Sequence, residues 1–248
     1  VDHSPLAWVL APLATTLIAG LKGAFGGGFA LLGIPLLALA MDPIEAGAML
    51  APLFLAMDVV AFRYWKPGTW SKPDLAVVLP GLALGVAIGT AVVAYAPRQA
   101  VTLAMAAVTL GFAAKYFAGR GVVRPRPRQP VRGVLAGTAS GITTMLAHAG
   151  GPPLAMYLLP LGLPKALYAG TTSIYFTVAN TLKVGPWLMA APPTAQTWWL
   201  MAFCLPFVAL GVCRGWRLHQ RLDQARLYWW CHVLLVASGL KLLWDGLN

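Results

Sequence analysis

Lys22, His148 and Asn180 are polar side chains set inside otherwise apolar stretches, and Ser140, Thr143 and Thr144 lie just before His148. A charge held at mid-bilayer costs about 2.5–3.5 kcal/mol on insertion scales, so a lysine inside a span needs either a function or a route to the interface. Lys22 is therefore a candidate to pair with an anion, against the plainer reading that it snorkels to an interface. Histidine titrates near neutrality, so His148 can donate to an anion or carry a coupling proton; the plainer reading is a hydrogen bond to a loop carbonyl. Thr144, Thr143 and Ser140 offer hydroxyl donors, or bond back to their own helix. Asn180 lines a site or bridges helices. Asp58 is a proton carrier or the partner of Arg63, with the pairing preferred. Thr171, Thr172 and Tyr175 are lesser candidates to reach a cavity from the span that carries Asn180, with no role there the preferred reading, whereas Lys183, Lys115 and Lys241 read as interfacial flanks.

Enzyme chemistry finds little support in these residues. There is no HExxH and no GxSxG, and Gly137-Thr138-Ala139-Ser140-Gly141 has the wrong spacing for a nucleophile elbow. Ser140 and His148 lie eight residues apart, about 12 Å along a helix at 1.5 Å per residue, too far for a dyad.

Two glycine-rich interruptions position the polar residues. Lys22 precedes Gly23-Ala24-Phe25-Gly26-Gly27-Gly28, and His148 precedes Ala149-Gly150-Gly151-Pro152-Pro153. Glycine costs a helix about 1 kcal/mol against alanine, so three in succession break it. Chain freed in this way survives at membrane depth only when buried in protein or lining a cavity. Helix N-termini after such breaks offer orphan N–H groups and partial positive charge, which suit an oxyanion. One N-terminus is expected after Gly28 and another at Pro152. The expected substrate site is therefore Lys22, Gly26, Gly27, Gly28, Thr144, His148, Gly150, Gly151 and Asn180.

The 248 residues are 59% hydrophobic and 10% charged, with a mean hydropathy of +0.72. Soluble domains carry about 25% charged residues, so the chain reads as an all-α polytopic membrane protein. Its net charge of +11 reflects cytoplasmic loops and attraction to anionic lipid or substrate, not nucleic acid. Cys204, Cys213 and Cys231 form no CxxC pair and read as packing residues, so neither a metal nor a cofactor is expected. The start Val1-Asp2-His3 has no basic stretch followed by a cleavage site, so no signal peptide is expected.

Apolar pieces cover 6–21 and 29–40, both shorter than the roughly 20 residues of a span, and read as two half-helices meeting at the glycines. Asp42-Pro43 closes that segment. Spans follow at 44–62, 74–95 and 99–118, with a turn at Ala96-Pro97-Arg98. A proline- and arginine-rich linker occupies 119–131, solvated and non-helical. The pattern then restarts with short pieces at 133–148 and from 152 to about 162, and spans at 165–185, 196–213 and 227–244. Arg214 to Arg226 reads as a basic loop. Pro80-x4-Gly85-x3-Gly89 recurs as Pro206-x4-Gly211-x3-Gly215, which argues for an internal repeat. The halves are 1–118 and 132–248.

Of eighteen lysines and arginines, thirteen fall in 63–72, 115–132 and 214–226. With those stretches in the cytoplasm, every span of the second half runs opposite to its counterpart, and both termini are external. The expected fold is two inverted repeats, each a glycine-broken helical hairpin plus three transmembrane helices. Paired interruptions in such repeats mark transporter binding sites. Trp65, Trp70, Trp216, Trp229 and Trp230 fit a belt at one interface, and Trp187, Trp198, Trp199 and Trp244 at the other.

The glycine-rich break followed by Pro35, its repetition as Gly150-Gly151-Pro152-Pro153, and the twice-used Pro-x4-Gly-x3-Gly resemble the sulfite exporter TauE/SafE family over roughly residues 10–245. Thr143-Thr144-Met145-Leu146-Ala147-His148 departs from the more glycine-rich run usual there. The resemblance implies a multi-pass transporter of the bacterial inner membrane that exports small sulfur-containing anions such as sulfite or organosulfonates. A coupling proton or ion would accompany it, and membrane lipid is the other expected partner. The alternatives are a passive anion channel and a transporter of a non-sulfur organic anion.

Overall fold

The computed structural model describes residues 4–92, 98–119 and 125–247. The expected turn residues Ala96 and Pro97, and Arg120 and Arg124 of the linker, lie outside the described residues. Among the described residues there are ten α-helices and no strands: α1 (Pro5–Phe25), α2 (Ile34–Ala38), α3 (Pro43–Ala61), α4 (Lys72–Val92), α5 (Arg98–Ala118), α6 (Pro130–Ala147), α7 (Gly151–Leu158), α8 (Lys165–Ala190), α9 (Ala195–Arg221) and α10 (Gln224–Leu247). α1, α3, α4, α9 and α10 are long and apolar enough to cross a membrane.

Local chemistry sets several boundaries. Asp42 caps α3, accepting from the N–H of Ile44 at 2.8 Å, and Pro43 opens the helix, where its missing N–H is harmless. α1 has 21 residues, so the first piece is not a half-helix. The short pieces are those after the breaks: a 3₁₀ turn at Ala30–Leu32 then the five residues of α2, and the eight residues of α7. α9 continues to Arg221 and only Leu222 and Asp223 separate it from α10, so most of the expected basic loop is helix. Residues 125–129 are non-helical, as their prolines demand. They are fastened rather than free: Arg128 Nε donates to buried Asp74 at 3.0 Å, and the Arg126 N–H donates to the Pro160 carbonyl at 2.8 Å. Ser71 and Tyr157 also donate to Asp74.

The repeated Pro-x4-Gly-x3-Gly does the same packing work twice. On α4, a Cβ at Gly85 would lie 2.1 Å from the Thr138 carbonyl of α6; on α9, a Cβ at Gly215 would lie 2.0 Å from the Gly20 carbonyl of α1. The glycines let backbones meet where apolar side chains gain nothing over lipid. Residue contacts advance together along α1 and α9, and along α4 and α6, so each pair is parallel. α3 and α8 are antiparallel, with Gly47 against Trp187 and Asp58 against Thr177. α5 and α10 are antiparallel too, with Leu103 against Gly246 and Leu110 against Gly239. Exchanging α1 with α6, α3 with α8, α4 with α9 and α5 with α10 leaves this set of pairings unchanged.

Candidate functional site

The first break is made by three consecutive residues in backbone that L side chains avoid: Gly26, Gly27 and Gly28 have φ of 83°, 119° and 89°. Gly26 ends α1 by donating its N–H to the Lys22 carbonyl, and a Cβ there would sit 1.9 Å from the Ala169 carbonyl. The second break begins at His148, which ends α6 at φ 50°. A non-glycine residue in that region costs about 1–2 kcal/mol and is kept where the surroundings enforce it. Here the N–H groups of His148 and Ala149 reach back to the Thr144 and Thr143 carbonyls, both at 3.1 Å. Ser140 Oγ donates to the Gly150 carbonyl at 2.6 Å, tying the break to α6. The breaks meet: a Cβ on Gly151 would lie 1.6 Å from the Gly28 carbonyl.

Next to this junction is a cavity of about 30 Å³, room for two or three waters at roughly 10–15 Å³ each. Six of the nine expected residues line it: Lys22, Gly27, Gly28, Thr144, His148 and Asn180. Gly26, Gly150 and Gly151 do not line it; their work is the backbone contacts just described. No N–H of Gly27, Gly28, Phe29 or Ala30 is spent on a backbone carbonyl among the described residues, although all four residues line the cavity. The N-terminus of α7 contributes less than expected, because Pro152 and Pro153 remove two of its first N–H groups.

Two polar groups of residues border the cavity. In the first, buried Lys22 forms an ion pair with buried Asp58. Thr177 Oγ1 and Asn180 Nδ2 donate to the two Asp58 oxygens, each at 2.8 Å. Asp58 therefore serves Lys22, not Arg63, and Asn180 bridges helices while also lining the cavity. In the second, Lys183 Nζ lies 3.2 Å from Thr144 Oγ1 and 2.9 Å from His148 Nδ1. It is 2% exposed and also lies 4.6 Å from the centre of the Phe54 ring. No carboxylate forms an ion pair with it among the described residues. His148 stacks on Trp187 with ring centres 4.4 Å apart, and its Nε2 has no hydrogen-bond partner.

Lys183 and Trp187 are the residues that the sequence reading missed. Lys183 is not an interfacial flank, and Trp187 is not simply part of a belt. The available signal was spacing: Phe176, Asn180, Lys183 and Trp187 recur every three or four residues, so one face of α8 carries all of them. Trp65 is likewise buried, packed on Trp216 and His219. Thr143 bonds back to Ala139, Thr171 accepts from the Ser71 N–H, and Tyr175 donates to the Gly137 carbonyl, so none of the three serves the cavity.

Long apolar helices enclosing a buried charged cavity, with two interrupted segments touching beside it, define a polytopic membrane protein with a sequestered polar site. A family model, sulfite exporter TauE/SafE, matches residues 12–242, and the chain belongs to that family of membrane transporters. No curated protein and no solved structure matches it.

Proposed function

We propose that the chain is a secondary transporter that exports a small sulfur-containing anion, sulfite or an organosulfonate, bound in the cavity between the two breaks. The family supports the sulfur chemistry. The observation that carries the site is charge. Lys22 and Asp58 neutralise each other, whereas Lys183 faces the cavity with no carboxylate of its own. A buried ammonium without a counter-ion is strongly disfavoured, and an anion in the cavity supplies one. Thr144, His148 and the amides of Gly27 and Gly28 then complete the donor set for its oxygens.

A cavity with room for only two or three waters fits a carrier that opens and closes around its substrate better than a standing pore. Inverted repeats provide that motion by rocking one bundle against the other. The pairing map that survives exchange of the halves supports this relation between residues 1–118 and 132–248, with 119–131 as the cytoplasmic linker. The arginine- and lysine-rich stretches then face the cytoplasm of a bacterial inner membrane and both termini the periplasm.

Counterflow in proteoliposomes tests the proposal. Vesicles loaded with sulfite, thiosulfate, taurine or acetate are diluted into labelled sulfite. Saturable exchange with the sulfur anions and not with acetate is expected; exchange with acetate alone, or none, removes the substrate assignment.

A further inference from the structure

Building on the anion site above, we infer that Lys183 is also the proton carrier of this transporter: one proton joins Nζ as a monovalent anion binds and leaves with it, so the pair crosses without net charge.

The inference rests on which groups face Lys183. From α1 comes Lys22, from the end of α6 His148, and from α8 itself Asn180, all lining the cavity, while Asp58 of α3 stands behind Lys22 within electrostatic reach. The segment 27–30 contributes no titratable group. Asp58 is paired with Lys22 and accepts from Thr177 and Asn180, and it forms no ion pair with Lys183. Lys22 and Asp58 act on Lys183 with opposite signs and offset each other, so neither replaces an anion beside Nζ. An ammonium at Lys183 is therefore opposed by burial whenever the cavity holds no anion, and is favoured when it does. Neutral Lys183 still has a satisfactory environment, since an amine can donate to Thr144 Oγ1 and accept from His148 Nδ1.

His148 offers the path. Its Nδ1 touches Nζ, and its Nε2, buried beside the Gly47 backbone in the closed cavity, is the ring atom left to take a proton when the cavity opens. A proton arriving at Nε2 and one leaving Nδ1 for Nζ puts one proton on the lysine and leaves the imidazole neutral in its other tautomer. The loaded carrier then holds anion and ammonium together, and the empty carrier returns with a neutral amine. The opposite cycle, in which the proton returns alone, requires the uncompensated ammonium that this cavity opposes. The geometry thus selects co-transport in one direction over exchange of anion for proton.

The test uses the full chain in proteoliposomes, with ³⁵S-labelled sulfite and methanesulfonate as the probes. For electroneutral co-transport, methanesulfonate, a monoanion throughout the pH range used, accumulates about tenfold per unit of imposed pH gradient, and a valinomycin-set potassium potential changes the final ratio less than twofold. Lys183→Arg, whose guanidinium keeps its proton, is expected to exchange at a reduced rate while losing all accumulation in response to pH; Lys183→Met is expected to lose both. Retained exchange in the arginine variant also shows that it is folded. Wild-type exchange that accumulates tenfold per about 59 mV of potential and ignores pH overturns the proton role and leaves the anion site standing. A Lys183→Arg protein that still follows the pH gradient places the proton on another group and overturns it too. Folded wild-type protein that exchanges neither anion removes the anion site, and this inference with it.

Discussion

The backbone of Gly151 presses on the carbonyl of Gly28, so closely that a methyl group at residue 151 would sit 1.6 Å from that oxygen. The two interruptions, more than a hundred residues apart in sequence, therefore meet with no side chain between them. The charged cavity lies against this joint. Any residue larger than glycine must separate the two breaks, because a carbonyl in a constrained turn cannot rotate away as a flexible side chain can.

Gly151→Ala is accordingly expected to lower the melting temperature of the solubilised protein and to abolish exchange, since forcing a methyl into packed backbone costs about 1–3 kcal/mol or more. Gly111→Ala is the control, because a Cβ there meets nothing within 4 Å. It should leave both properties unchanged or slightly improved. Equal behaviour of the two variants in thermal denaturation would show that the breaks do not need their contact.

Asp58→Asn leaves buried Lys22 without a counter-charge. Breaking one partner of a buried pair costs about 3–5 kcal/mol, whereas removing both costs less. Asp58→Asn should thus be poorly folded, and the double variant with Lys22→Met should recover much of the loss. A cycle of the four proteins measured by thermal stability gives the coupling directly. Additive effects would mean that the ion pair carries no weight in the fold.

At residue 148 the imidazole and the backbone conformation can be separated. Both His148→Ala and His148→Gly remove the ring that touches Lys183, so both should impair exchange at least tenfold while folded protein stays in the membrane. They differ in backbone cost: at φ 50° glycine should be the more stable of the two by about 1–2 kcal/mol. Wild-type flux in either variant would remove His148 from the site.

The orientation of the chain is checked by single cysteines in a background without Cys204, Cys213 and Cys231. Cysteines at Arg126 and Arg221 should react with an impermeant maleimide only from the cytoplasmic side, and one at Gln196, which opens the opposite end of α9, only from the other. Labelling of all three from one face would contradict the inverted arrangement.

Much of this architecture was legible from the sequence because lipid makes its demands locally. Apolar length marks the spans, Asp42-Pro43 and the linker prolines mark boundaries, and repeated glycines mark where backbones touch. Six residues named from their type and position do line one cavity. What the sequence concealed was pairing. Asp58 has Arg63 five residues away, yet it bonds Lys22 from another helix, a choice set by how α1, α3 and α8 converge. Lys183 looked like a flank because it lies near the end of its apolar run, but α8 continues to Ala190 and carries it inside. The lengths of the broken pieces were also misjudged, because α1 keeps its helix through Gly23 up to Phe25 where glycine packing on α9 rewards it.

The most direct test of an anion site at the joined breaks is to see the anion. Selenite replaces sulfite with a strong anomalous scatterer, and the protein can be crystallised in its presence. A selenium peak within hydrogen-bonding reach of Lys183 and Thr144, beside the amides of Gly27 and Gly28, is the expected result. Selenite that competes with sulfite for transport but leaves its peak elsewhere, with this cavity empty of it, would contradict the site.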